Sequence, residues 1–160
     1  MRKKEREVKT IEEIITIINK CQIITVALFD KQYPYAIPLN FLFEKEKDKL
    51  AFYFHSAKEG KKIDLISKNE HCGFTLYNDL RVSLFEKAER TTNYYESVIG
   101  EGKITEIKDQ VAKRETIEKM LRRYGYKKEI EISSEALDKT FIGKITVDSI
   151  SGKANREVNI

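Results

Sequence analysis

His55-Ser56-Ala57-Lys58-Glu59-Gly60-Lys61-Lys62 is the stretch of this chain with the densest chemistry. Ser56 and Glu59 stand at the S-x-x-E spacing of a capping box, which predicts a helix starting just after Ser56. A helix start gathers unpaired backbone N–H groups and the positive end of the peptide dipole. Lys58, Lys61 and Lys62 surround that start, and Gly60 lies within it, so the pattern suits a phosphate cradle. The same residues also fit a plainer reading. A capping box satisfies its own orphan donors, and lysines in a first turn are usually just solvated. The Gly-Lys-Ser/Thr ending of a P-loop is missing, so the spacing leaves both readings open.

Other chemistry is sparse. His55 and Ser56 are neighbours on a predicted strand and project to opposite faces, so they cannot form a nucleophile–base pair. With two histidines and no carboxylate pair at a telling spacing, hydrolysis has little support. Cys21 and Cys72 form no C-x-x-C pattern and flank apolar stretches, which predicts buried structural thiols. His71 and Cys72 point to opposite faces and cannot share an ion, so no metal site is expected. One possible phosphate cradle among many aromatics suits a protein that takes its reactivity from a bound phosphorylated cofactor.

The elements that must hold these residues can be read from period and punctuation. Thr10 and Glu13 repeat the capping-box spacing, opening a helix to about Lys20 with Ile11, Ile14, Ile15 and Ile18 as its buried face. Residues 23–29 read as a buried strand, and residues 33–44 as a second one. Pro34 and Pro38 confine that second strand to an edge, a bulge or a bend, where backbone groups could face a ligand or simply turn a barrel corner. A charged turn over 44–49 leads into the strand that carries Leu50, Phe52 and Phe54 on one face and Ala51, Tyr53 and His55 on the other. Strands are predicted over 71–77, continuing into 80–85, and over 94–107, where Gly100 and Gly102 share a face and permit close backbone approach. Asp109 should cap a helix to Tyr124 with Ile117, Met120, Leu121 and Tyr124 inward, and Gly125 suits the C′ position. A short helix over 133–139 precedes a last strand over 140–150. About six strands, mostly joined by hairpins, predict a mainly β fold with peripheral helices, a small closed or split antiparallel barrel.

At 160 residues the chain is one domain, 1–160. Its net charge of +4 comes from 30 basic and 26 acidic residues interspersed, not from the concentrated stripe that nucleic-acid binding requires. The longest strongly apolar run, over 23–29, is far shorter than the roughly 20 residues of a bilayer span. No secretory signal pattern follows the charged start, so a soluble cytoplasmic protein is expected.

Three blocks occur in a telling order: Pro34-Tyr35 with Pro38-Leu39-Asn40-Phe41, then Phe54-His55-Ser56-Ala57 with Gly60-Lys61-Lys62-Ile63-Asp64, then Tyr95-Glu96-Ser97-Val98-Ile99-Gly100. In these the chain resembles the nitroimidazole-resistance branch of the pyridoxamine 5′-phosphate oxidase-like FMN-binding split-barrel superfamily. The resemblance implies a six-stranded antiparallel split β-barrel and a homodimer with FMN at the subunit interface. It implies that Lys62 meets the FMN phosphate, with Lys61 and Ser56 as supporting donors. It places Pro38, Leu39, Asn40 and Phe41 along the isoalloxazine ring, largely through backbone groups. Tyr95, Ser97 and Val98 would cover the flavin or touch its phosphate from the opposite subunit. His55 matches the family's histidine and becomes the candidate catalytic residue on the substrate side; a hydrogen-bonded strand-end histidine is its plainer role. The activity implied is an FMN-dependent oxidoreductase acting on a small planar electron acceptor such as a nitro-heteroaromatic compound. The alternative is a non-catalytic flavin or haem binding or storage protein; a nucleic-acid-associated role ranks last. Two departures from the pattern stand out. The chain has no tryptophan and ends without the Arg- and Trp-bearing segment of true pyridoxamine 5′-phosphate oxidases, which argues against vitamin B6 oxidation. Lys87-Ala88-Glu89-Arg90 precedes the third block where many nitroimidazole-resistance members carry an aromatic or a cysteine.

Overall fold

A computed structural model describes residues 3–46 and 49–156; the tip of the charged turn and the extreme termini lie outside the described residues. The elements run β1 (Glu7–Val8), α1 (Ile11–Lys20), β2 (Ile23–Leu28), β3 (Tyr35–Asn40), β4 (Leu42–Glu46), β5 (Lys49–Ala57), α2 (Lys61–Lys68), β6 (His71–Ser83), β7 (Thr92–Glu106), α3 (Gln110–Arg123), α4 (Ser134–Lys139) and β8 (Thr140–Asn155). The strands form one antiparallel sheet in the order β3-β2-β6-β7-β8-β5-β4, with β1 added to β8. β3 and β4 close the two ends of that order, yet only Phe41 separates them in the chain. The sheet must therefore curl round on itself, which makes the split barrel that the hairpin pattern predicts.

The strand count rises from about six to eight for two local reasons. The expected strand over 33–44 turns at Phe41 and becomes β3 and β4, and β1 is a two-residue addition. β3 pairs only with β2, so Pro38 sits on an edge where its missing N–H costs no ladder bond. The core is aromatic at its centre: Phe52 lies 5.7, 5.5 and 5.0 Å from the rings of Phe41, Phe43 and Phe74. The expected close approach at Gly100 is present, because a Cβ there would meet the Phe74 ring at 2.3 Å and the Ser149 carbonyl at 2.5 Å.

The helices follow their caps more faithfully than their expected faces. Thr10 Oγ1 accepts from the Glu13 amide at 3.3 Å, and Asp109 Oδ1 from the Ala112 amide at 2.8 Å. Gly125, at φ 87°, closes α3 with its N–H on the Arg122 carbonyl while Tyr126 reaches Leu121, a complete Schellman end. In α1 the buried residues are Ile14, Ile17 and Ile18, with Ile11 and Ile15 only partly covered. In α3 the expected inward face holds at Met120, which is buried; Ile117 and Leu121 are only partly covered, Tyr124 is exposed, and Lys113 and Thr116, not expected inward, are buried. A buried lysine carries no hydrophobic signal, so periodicity did not extend the covered face to Lys113. Among the described residues no helix is long and apolar enough to cross a membrane.

One buried carboxylate ties three elements together. Glu96 on β7 is 2% exposed, and Lys20 Nζ at 2.7 Å and Arg156 Nε at 2.8 Å both reach it. Burial opposes its ionisation, but the hydrogen bonds from Lys20 and Arg156 outweigh burial and hold its pKa below the ordinary 4.5. A folded-state pKa below the unfolded one gives stability that is full above the unfolded value and lost as pH falls through the folded one. Glu96→Gln is therefore expected to lose more stability near neutral pH than near pH ~3. Urea midpoints measured across that range check it, and parallel pH profiles for the two proteins would rule out the ion-pair assignment.

Candidate functional site

The helix expected just after Ser56 begins five residues later. β5 stays paired with β8 as far as Ala57 opposite Thr140, which keeps Ser56 in the strand. Its hydroxyl donates to the Ala57 carbonyl at 2.9 Å instead of capping a helix. The N-cap of α2 is Gly60, at φ 102°, and no side chain caps that end. The capping box is thus not formed, because sheet pairing outcompetes it. The consequence favours the cradle: the first turn of α2 has its positive dipole end without a side-chain acceptor.

The structure separates the two lysines of that turn. Lys61 is spent on structure: its Nζ lies 2.6 Å from Asp30 Oδ2 and 4.7 Å from the centre of the Tyr35 ring. The hydrogen bond that Lys61 donates to Asp30 raises the Lys61 pKa, and the same bond depresses that of Asp30. This clamp fastens the start of α2 to the β2–β3 hairpin. Lys62 is half-buried, and among the described residues no acidic side chain pairs with it. Desolvation pushes its pKa down, the mark of a cation lacking a counter-charge.

His55 stands beside it. Its Nδ1 lies 3.2 Å from Met120 Sδ on α3. A thioether only accepts, so this contact assigns the proton to Nδ1 and leaves the Nε2 lone pair outward. Part of the ring is exposed, yet desolvation by the α3 face, followed by the Lys62 charge, lowers its pKa. Near neutral pH the ring is therefore neutral and accepts at Nε2. On the other side of the turn, Lys113 is 1% exposed and donates to the carbonyls of Leu137 at 3.0 Å and Thr140 at 2.6 Å.

The remaining expected residues divide. Pro38 and Asn40 face outward from β3, while Leu39 packs against the core. Phe41 is fully buried, and its backbone is already gripped: the Tyr124 hydroxyl accepts from the Phe41 N–H at 3.0 Å and donates to the Gln22 carbonyl at 2.7 Å. Arg123 lies over the Phe41 ring at 4.5 Å and donates to the Cys21 carbonyl at 2.9 Å. Tyr95 and Ser97 are distant from His55 within one chain. His55 pairs with Ile142 on β8, whereas Ser97 pairs with Lys153, eleven residues further along the same strand. At about 3.3 Å per residue that is roughly 30 Å or more. The Val98 side chain is fully buried in the core, so only its backbone can face a ligand.

The sequence profile described as pyridoxamine 5′-phosphate oxidase matches residues 10–154. The chain belongs to that family. Among solved structures, this family member is similar to one from Bacteroides thetaiotaomicron named for 5-nitroimidazole antibiotic resistance. The two share 26% identity and a TM-score of 0.78, over 94% of this chain and 90% of that one. A flavocytochrome from Azotobacter vinelandii shares the fold at TM-score 0.84 and 15% identity, over 98% and 72% of the two chains. An FAD and heme binding protein from Mycobacterium smegmatis does so at 0.81 and 16%, over 95% and 74%. No curated protein is a significant match.

Sequence reasoning missed Met120, Lys113, Arg123 and Tyr124 as neighbours of the site in this oxidase-family barrel. All four lie on or just after α3, and nothing local in the sequence says which part of the barrel that helix covers. The Arg-Tyr pair ahead of Gly125 was the one available signal, since it had to land wherever the helix ended.

Proposed function

We propose that this chain binds a flavin phosphate, FMN in the first instance, and works as a homodimeric oxidoreductase on a small planar acceptor such as a nitro-heteroaromatic compound. The observation that carries the reading is the uncapped start of α2 with Lys62 beside it lacking a counter-charge. The residues fit the group: an anion there would meet a helix N-terminus and an ammonium at once. Family membership over residues 10–154 supports the flavin, and so do the names of the Azotobacter vinelandii and Mycobacterium smegmatis structures.

A bound flavin supplies the redox chemistry. The chain's own residues bind and orient. Lys62 and the first turn of α2 hold the phosphate, and the Lys61–Asp30 clamp keeps that turn against β3. Met120 fixes the His55 ring, so that Nε2 accepts a hydrogen bond from ligand or acceptor. Tyr124 and Arg123 hold the β3–β4 corner in place, which serves catalysis through orientation. A second subunit is needed for Tyr95, Ser97 and Val98 to approach this site, given their distance within one chain.

Haem is the second candidate, because the Nδ1–H tautomer leaves Nε2 of His55 able to ligate iron. The purified protein is expected to be yellow, with a flavin spectrum that bleaches under dithionite and with turnover of a nitroimidazole given a reductant. A Soret band would favour haem, flavin without turnover a carrier, and a colourless protein indifferent to added FMN would overturn the proposal.

A further inference from the structure

β6 and β7 outrun the rest of the sheet. β2 leaves β6 at Thr75, and β8 leaves β7 at Tyr95. Beyond those points, among the described residues, Arg81 to Ser83 and Tyr94 to Thr92 pair only with each other, a free two-stranded ribbon. Such a ribbon is marginal in water unless an apolar face of it is covered. Here the apolar side chains lie bare: Leu84 is 80% exposed and Phe85 50% at the tip, with Val82 exposed beside them. A cluster of that kind at the end of a projecting arm marks a contact surface. Residues 84–90 hold two acidic and two basic residues, not the single sign that a nucleic acid or an anionic membrane would draw.

A receptor of matching character lies at the opposite end of β6. A pocket of about 330 Å³ opens between Phe29, Tyr33 and Pro34 of the β2–β3 connection and the paired residues Ala27 and Gly73. Among the described residues nothing requires a glycine at Gly73. Its backbone is not in the left-handed region, and a Cβ there would meet no atom closer than the Gly100 carbonyl at 4.0 Å. A glycine so placed in a strand marks the close approach of another body. That body is not the chain's own ribbon: Gly73 and Ser83 are ten residues apart along β6, or more than ~30 Å. Asp30 also lines the pocket and holds Lys61 at 2.6 Å, so the pocket borders the first turn of α2. In the homodimer proposed above, Tyr95 reaches that same turn from the second subunit, and the ribbon carries its tip about 10 Å further.

We infer, resting on that homodimer reading, that the ribbon of a second copy of this chain seats Leu84 and Phe85 in the Ala27–Gly73 pocket. By twofold symmetry each copy gives a ribbon and receives one, so two such clasps flank the anion seats. The direct test is the full-length double variant Phe85→Cys with Tyr33→Cys under mild oxidation. The native Cys21 and Cys72 are buried and do not compete. Non-reducing electrophoresis is expected to show mostly covalent dimer for the double variant and little for either single one. Sedimentation of Leu84→Asp and of Gly73→Val is expected to show a dimer dissociation constant raised at least about tenfold. Gly73→Val has room within its own chain, so its thermal melt should keep the wild-type cooperativity. No cross-link, or dimers of wild-type strength in both sedimentation variants, would overturn the clasp while a dimeric wild type left the homodimer reading standing. A wild-type protein that sediments as a monomer with and without FMN would remove both.

Discussion

Phe52→Ala is expected to remove about 3–5 kcal/mol of folding stability, the usual cost of deleting a fully buried aromatic ring. Phe52 has no exposed surface, and the rings of Phe41, Phe43 and Phe74 lie 5.7, 5.5 and 5.0 Å from it. Its neighbours come from β4, β6 and the Phe41 corner, elements that cannot collapse inward without breaking sheet pairing, so the cavity stays open. Domains of this kind hold roughly 5–15 kcal/mol in total, so about a fifth of the stability or more would go. The urea midpoint should fall with an unchanged slope, because the surface exposed on unfolding hardly alters. Phe52→Leu should recover most of the loss. A midpoint shift worth less than about 1 kcal/mol in the alanine variant would mean that the four rings share no common core.

Lys62→Ala is expected to weaken flavin binding by about 1.5–3 kcal/mol, the contribution of a charge-assisted hydrogen bond, or about 10- to 150-fold in Kd. Its fold should be nearly untouched, since among the described residues no acidic partner depends on Lys62. Lys61→Ala is the informative contrast. Lys61 is engaged by Asp30 and Tyr35, so its loss should act on the β2–β3 clamp and change flavin affinity less. Titration of both variants with flavin decides the matter. Equal losses would mean that the clamp matters as much as the phosphate contact, and an unchanged Kd for Lys62→Ala would remove the phosphate assignment.

Much of the architecture was legible because it depends on neighbours in sequence. The caps at Thr10 and Asp109 and the glycine stop at Gly125 formed where their spacing placed them. The crowding at Gly100 and the edge position of Pro38 followed from backbone sterics. Where local and long-range demands competed, the long-range ones prevailed. Ser56 had the spacing of a cap, but pairing with Phe141 on β8 held it in the strand and moved the helix start to Gly60. Lys61 and Lys62 looked equivalent until the hairpin brought Asp30 to one of them.

The sequence by itself determined the mainly β barrel, the peripheral helices and the turn in which an anion seat could form, because hydrophobic period, glycine and proline act over a few residues. Only the tertiary structure decided which lysine is left without a counter-charge and which α3 face is buried. It alone showed that Met120 orients His55 and that Tyr95 and Ser97 lie beyond reach of that ring within one chain. Those outcomes depend on strand register and helix docking, which join residues some 30 to 100 positions apart and which no local pattern encodes.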